Sequence, residues 1–474
     1  VLWSGDGGWA AISNITTSVP VKQKALFVTA QYASMGRSYD NGNTWQSKAS
    51  FFAPAMTGLQ AAFVTPMILW QTVNNTQIKD SVTFVADRKY NAGETVIVKS
   101  KQINYPIPYT LTSNLDSLAS IRVLDKAQSR FFLGAYEGIW MTPEPLNFSK
   151  KPAWFKIASF PGEVVLTMAN SKDGNYLYVS TGSKLYRISN LINSPDSASL
   201  SVDANGYNLS VDLIKTFNSN RTITSIAVDP RFPENVIVTL GNYGNTDYVY
   251  ASNNATSANP TFVNKTGSGL PTAPVYASLI EANNNNVVIL GTEFGIYTCG
   301  NFNFNNLSSN VEWAYDNNGM ERVPVFQLRQ QTMDFGTTSY TVNDNGNVIT
   351  NVFPGVTNTG VIYAATHGRG FWQCKNYVGI NSQPIVNKTE KVSLSVFPNP
   401  VVSDATFRIN INKENNVVIN IYDINGSLVY SNNYGRKSAG DHQINFNTDN
   451  LKKGTYIIQM SCGNERVSSK FIKL

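Results

Sequence analysis

Cysteine and histidine are scarce in this chain. Three cysteines, Cys299, Cys374 and Cys462, are spread over 474 residues, too few and too far apart for a zinc site or a disulfide scaffold. Two histidines, His367 and His442, exclude a histidine-rich metal centre and leave few bases for a Ser-His-Asp or Cys-His machine. Charge is sparse too: Asp, Glu, Lys and Arg make up 14% of the chain, against about 25% in an average soluble protein. The net charge of +6 is scattered, with no run of five like charges. The concentrated basic stripe of a nucleic-acid groove is therefore missing, and no nucleic-acid partner is expected. No apolar run reaches the ~18 residues of a transmembrane helix. The opening Val1-Leu-Trp-Ser is not a signal peptide. The expectation is a chain that starts after a cleaved signal or partway through a longer polypeptide.

Aromatics, by contrast, reach 12%, Asn occupies about 12% of positions, and Gly (33) and Pro (20) are well supplied. Asn, Ser and Thr compete with the helix for backbone hydrogen bonds, so this composition favours short strands joined by many turns. One phrase returns in variant form: an apolar run, a small turn with Gly, then an aromatic strand. It reads Phe131-Phe-Leu-Gly-Ala-Tyr-Glu-Gly-Ile-Trp140, Tyr176-Leu-Tyr-Val-Ser-Thr-Gly-Ser-Lys-Leu-Tyr186 and Val287-Val-Ile-Leu-Gly-Thr-Glu-Phe-Gly-Ile-Tyr297. Further copies lie at Leu26, at Val236 leading to Tyr248, and at Val361–Trp372, with a weaker one at Val82 before Thr95. Near-continuous apolar first strands indicate burial on both faces. Six or seven such units read as the blades of one β-propeller over residues 1–375, six- to eight-bladed with seven favoured.

Asn376–Lys391 has the composition of a linker. Beyond it, residues 392–474 hold seven short strand patterns about 12 residues apart, the spacing of a small immunoglobulin-like β-sandwich. Asn425-Gly426 is placed in a type I′ hairpin turn. The last strand runs to the end of the sequence and is expected to leave a free edge, suited to strand addition. The fold class is all-β throughout.

Ser38-Tyr-Asp-Asn-Gly-Asn-Thr-Trp45 matches S-x-D-x-G-x-T-W at every fixed position. It resembles the Asp box of the sialidase, sortilin and xyloglucanase group of propellers, and Ala365–Trp372, Arg322–Phe326 and Gly5–Trp9 are similar to other phrases of that group. The residues point to a structural job: Ser38 and Asp40 bond turn amides, Gly42 allows the reversal, and Thr44 and Trp45 complete the turn and its plug. The resemblance implies that the box lies away from the ligand face. A sialidase needs converging arginines, for which Arg37, Arg122, Arg221 and Arg369 are candidates. A xyloglucanase-type glycosidase needs paired carboxylates, yet Gln31–Gly36, where that family carries one aspartate, has none. Asp6 and Glu293 are the remaining candidates. His367 and Arg369 read as turn and anchor residues, with a central ligand as the alternative. Cys299 and Cys374 occupy equivalent places in two units, leaving a disulfide and two free thiols equally open. No cofactor or metal site is expected.

Phe397-Pro-Asn-Pro400, Ile421-Tyr-Asp-Ile-Asn-Gly-Ser-Leu-Val429, Leu451-Lys-Lys-Gly-Thr-Tyr-Ile-Ile458 and Lys470-Phe-Ile-Lys-Leu474 follow in order. Their order and spacing resemble the type A C-terminal sorting domain of the type IX secretion system of Bacteroidota. The resemblance implies a sorting signal carried by Pro398, Asn399, Pro400, Asp423, Gly426, Gly454, Tyr456, Lys470 and Leu474. It also implies partners: the translocon with its outer-membrane cargo shuttle barrel, and a surface sortase that cuts in the linker. The protein would pass through the periplasm to the cell surface or beyond. There the front portion is expected to bind an unknown surface protein or glycan without catalysis. The alternatives are a secreted glycoside hydrolase or the final part of a larger adhesin.

Overall fold

The computed structural model describes residues 7–16, 23–76, 78, 81–101, 103–193, 209–317, 319–344, 347–375, 377, 392–411, 413–463 and 465–474. The expected linker lies almost wholly outside them, as does Asp6. The chain divides into two compact units, Val1–Ser382 and Gln383–Leu474. Both are all-β; helix among the described residues is limited to Lys48–Phe51 and two 3-10 turns.

The first unit holds six successive antiparallel sheets, numbered here one to six. Sheets one, three, four and five are four-stranded meanders whose first strands are Ala10–Thr16, Thr167–Asn170, Ile223–Val228 and Val275–Ile280. Sheet two pairs Met67–Thr72, Gln128–Thr142 and Phe155–Val164; sheet six pairs Val325–Gln330, Ile362–Thr366 and Phe371–Cys374. The apolar runs seen in the sequence are mostly second strands. Leu177–Ser180, Val236–Leu240 and Val288–Thr292 are buried at every position, as required when both faces of a sheet are covered. Separate apolar clusters join sheets two and three around Trp70 and Leu177, three and four around Tyr178 and Val238, four and five around Ile237 and Trp313, and five and six around Ile289 and Leu328.

The expected weak copy near Val82 is not one of these sheets. Ser81–Val85 pairs with Ser120–Leu124, and Thr95–Lys99 with Pro106–Thr110, as two small ribbons inserted between the first two strands of sheet two. The Ser81–Val85 strand has no fully buried position, so it lacks the two-sided packing of a second strand. A hairpin inserted in sheet six, Thr338–Asp344 with Asn347–Phe353, meets this excursion: Tyr105 lies edge-on to Phe353 at 5.6 Å.

Polar contacts tie each sheet to the next. The Asn14 amide donates to Gln71 Oε1 (2.6 Å), the Trp70 indole to the Lys172 carbonyl (3.0 Å) and the Tyr178 hydroxyl to the Pro233 carbonyl (2.9 Å). Asn285 donates to Asp229 (2.7 Å), Gln330 to Glu281 (2.6 Å) and Gln331 back to Asn14 (2.5 Å). These six contacts run one to two, two to three and onward, and the last joins sheet six to sheet one. A second set uses buried cations. Arg37 donates to the Pro145 carbonyl (2.8 Å), Arg130 to Leu191 (2.5 Å), Arg187 to Ala255 and Ser257 (2.8 and 2.6 Å), and Lys265 to Ser309 (2.6 Å). Burial pushes the Arg37 guanidinium down to about 9, against the pull of Glu144. A cation out of water needs its donors occupied, and loop carbonyls of the neighbouring sheet supply the acceptors.

In the second unit, Ser393–Phe397, Asp404–Ile411 and Gly440–Asn447 form one sheet. Leu428–Lys437, Asn415–Asp423, Gly454–Cys462 and Glu465–Lys473 form the other, in that order. Alternate residues of both enter one apolar cluster around Phe407, Ile419, Ile458 and Phe471. The Asn425-Gly426 turn differs from expectation: Gly426 has φ 83° but Asn425 is not in the positive region. Asp423 accepts from the Asn425 and Ser427 amides at 2.9 Å each, so the reversal is a longer loop needing only one left-handed residue.

Replacing Arg187 with Met should lower the unfolding free energy by about 2–4 kcal/mol, because loop carbonyls of the next sheet lose a charged donor. Arg369→Met, which removes a surface ion pair to Glu321, should change it by under about 0.5 kcal/mol. Urea titrations of the two variants beside the parent protein measure the contrast, and equal effects would contradict the assigned role of Arg187.

Candidate functional site

The Ser38–Trp45 motif closes the turn between the third and fourth strands of sheet one. Ser38 donates to Asp40 (2.8 Å) and accepts from the Gly42 amide (2.9 Å), while Asp40 accepts from the Thr44 amide and hydroxyl (2.9 and 2.6 Å). The Trp45 indole donates to the Gly42 carbonyl (3.0 Å), and Gly42 has φ 86°. The Thr44 hydrogen bonds hold the Asp40 carboxyl below its ordinary range. Every fixed residue of the motif is thus used within its own turn.

The first strands of sheets three to six and Trp9, which leads into sheet one, line a cavity of about 70 Å³. Its wall carries the side chains of Thr167, Thr224, Ser225, Ser278 and Gln327, the rings of Trp9, Tyr276 and Phe326, and one cation, Arg329. Among the described residues, no Asp or Glu lines the cavity. Short hydroxyl residues fit where first strands converge: Ser225 and Ser278 bond across sheets four and five at 3.0 Å. Arg329 stacks on Trp9, 4.7 Å from the ring centroid. Its side chain is exposed to the water of the cavity. At the rim, half-exposed Phe326 meets Tyr276 edge-on at 5.1 Å and His367 at 5.5 Å. Tyr276 donates to Glu293, and its hydroxyl titrates well above the usual range through burial first and Glu293 second.

Glu293 and His367 therefore flank this cavity without lining it. The four candidate arginines part company. Arg37 is buried between sheets one and two, and Arg122 bonds Ser81 in the excursion of sheet two. Arg221 bonds Asp247 within sheet four, and Arg369 bonds Glu321 on the surface. Arg329 was not singled out in the sequence; its signal was an Arg on an otherwise apolar and amide-bearing first strand, Val325–Gln330. Cys299, Cys374 and Cys462 are free thiols, and among the described residues no three His, Cys, Asp or Glu side chains form a metal cluster.

In the second unit the separated tail motifs come together at one end of the four-stranded sheet. Asp423 pairs with Tyr456, Tyr456 with Phe471 and Gly454 with Lys473 across neighbouring strands. Gly426 lies in the loop beside Asp423. The Tyr456 hydroxyl donates to the Lys452 carbonyl (2.7 Å). The expected free edge is half covered. Val401 donates to the Ile472 carbonyl (2.7 Å) and accepts from the Leu474 amide (2.9 Å). Asn399 accepts from the Ile472 amide and donates to the Lys470 carbonyl, both at 3.0 Å. Pro398-Asn-Pro400 thereby leads a short segment along the last strand, which the sequence alone did not reveal, because the pairing partner lies some 70 residues away. Exposed apolar side chains gather on the same strands: Leu428, Ile457, Ile472 and Leu474. Asn399→Ala should cost about 1–2 kcal/mol through two lost hydrogen bonds and speed amide exchange at Ile472. Unchanged exchange there would contradict the contact.

Residues 395–474 match the family described as "Secretion system C-terminal sorting domain". No curated protein matches the sequence. Among solved structures, a GH74 xyloglucanase from Xanthomonas campestris is 12% identical with a TM-score of 0.37, covering 76% of this chain and 43% of its own. PorZ, a surface component of the type-IX secretion system of Porphyromonas gingivalis, is 11% identical with a TM-score of 0.19, covering 98% of this chain and 82% of its own. The Niastella koreensis GH74 enzyme is 11% identical with a TM-score of 0.31, covering 96% and 65%. This chain thus spans less than half the length of the Xanthomonas enzyme. No helix among the described residues is long and apolar enough to cross a membrane. Residues 395–474 are a type IX secretion sorting domain, and the chain that carries it is exported to the cell surface or the extracellular space.

Proposed function

We propose that the first unit is a six-bladed β-propeller that binds a surface protein or glycan without catalysis, and that the second unit delivers it through the type IX translocon. Six sheets, the lower end of the expected range, each bonded to the next and the sixth to the first, support the propeller reading. The observation that carries the binding reading is the composition of the central cavity. Hydroxyls, an amide, three aromatic rings and one cation make a recognition surface, while a glycosidase needs two carboxylates facing the substrate. Glu293 supplies one nearby through Tyr276; the described lining residues supply no second. The Asp box is a blade-stabilising turn in this reading.

For the tail, Pro398, Asn399, Pro400, Lys470 and Leu474 form the face that the shuttle barrel and translocon read, with Asp423, Gly426, Gly454 and Tyr456 shaping the strands behind it. The exposed Ile457 and Leu474 beside them give that face its apolar contact area. A surface sortase then cuts within residues 376–391. The test is expression in a cell with an intact type IX system. The full chain should reach the surface and its mature form should lack residues 392–474 by intact mass, whereas a chain lacking those residues should stay in the periplasm. Surface display of the shortened chain would end the reading. A glycan and surface-protein array with the purified full chain then tests the binding role; hydrolysis of a polysaccharide would replace it with the glycosidase alternative.

A further inference from the structure

Arg329 is a cation without an acceptor. Among the described residues no carboxylate lies within ion-pair distance of it and no oxygen accepts from its five N–H groups; its one contact of note is the Trp9 ring beneath it. The buried arginines differ in kind: Arg37 and Arg187 donate to loop carbonyls, and Arg221 is held by Asp247. Exposed to the water of the cavity, the Arg329 guanidinium keeps its N–H edge available to a ligand while its face rests on the Trp9 indole. The neighbouring Gln327 amide also lines the cavity and has no protein partner among the described residues.

We propose that the central cavity is an anion site in which Arg329 receives the carboxylate of a small organic acid. The planar fork of a guanidinium matches the two oxygens of a carboxylate. Gln327 offers a second donor beside it. Among the described residues no other Lys or Arg lines the cavity, so the site matches a monoanion and is under-charged for a phosphate dianion. The cavity holds the acid group and the first atoms behind it; the rest of the ligand lies toward Phe326 and Tyr276, whose half-open rings offer a stacking edge. The inference rests on the cavity being the binding site of the first unit, and specifies the charge of what it binds.

Calorimetric titration of the full chain at fixed ionic strength, with glucuronate, acetate, methyl glucoside and inorganic sulfate, tests it. Glucuronate should bind at least 10-fold more tightly than methyl glucoside, acetate should compete with it, and sulfate should be weaker. Arg329→Gln should weaken glucuronate at least 10-fold, while Arg369→Gln should leave it unchanged. Should Arg329→Gln fail to fold, Arg329→Lys, which keeps the charge and loses the fork, should still weaken glucuronate measurably. Equal affinity for glucuronate and methyl glucoside, a preference for sulfate, or full binding by a folded Arg329 variant would each overturn the proposal. Neutral glycans bound on the array without any gain from a carboxylate would overturn this inference and leave the binding role standing.

Discussion

Side-chain donors reaching acceptors on the following sheet are the constraint on which the first unit depends. A small antiparallel sheet is a repeating object and its apolar faces are interchangeable in kind; hydrophobic contact alone says that sheets stack, and little about which stacks on which. The directional contacts fix the order. Trp70 to Lys172, Tyr178 to Pro233 and Gln330 to Glu281 each need one particular loop on one particular neighbour. Buried Arg37, Arg130 and Arg187 add a second set of contacts, from sheet one to two, two to three and three to four. Each would be costly if its acceptors were displaced, so an incorrect neighbour is penalised as well as unrewarded.

The junction between sheet six and sheet one is built differently from the others. The Gln331–Asn14 bond and the stack of Arg329 on Trp9 cross it directly. The hairpin of sheet six also packs through Phe335 and Phe353 into the same apolar cluster as the excursion from sheet two. Two insertions that break the repeat in sequence thus support one another in space. The same junction sets the character of the cavity, because Arg329 and Trp9 belong to the two sheets that meet there.

The sorting domain works on a different principle. Its two sheets share one core, and the residues of its four sequence landmarks have little contact along the chain. Antiparallel pairing brings Asp423, Tyr456 and Phe471 into one row, and the Asn399–Val401 segment lies over the end of the last strand.

The strand-rich class, the repeated units, the turn at Ser38–Trp45 and the seven strands of the tail were legible in the sequence, because each depends on contacts within about a dozen residues: alternation, turn chemistry and short hairpins. The Ser38–Trp45 turn shows this most plainly, since its hydrogen bonds never leave the motif. Local pattern could not distinguish the excursion at Val82 from a true repeat, for an apolar alternating strand looks the same whether one or both of its faces are covered. Nor could it bring Arg329 to Trp9, lay Asn399 along Ile472 or separate Cys299 from Cys374. Those outcomes depend on where sheets stand around one another, and that is set by long-range packing and by donors that find their acceptors only after the chain has folded.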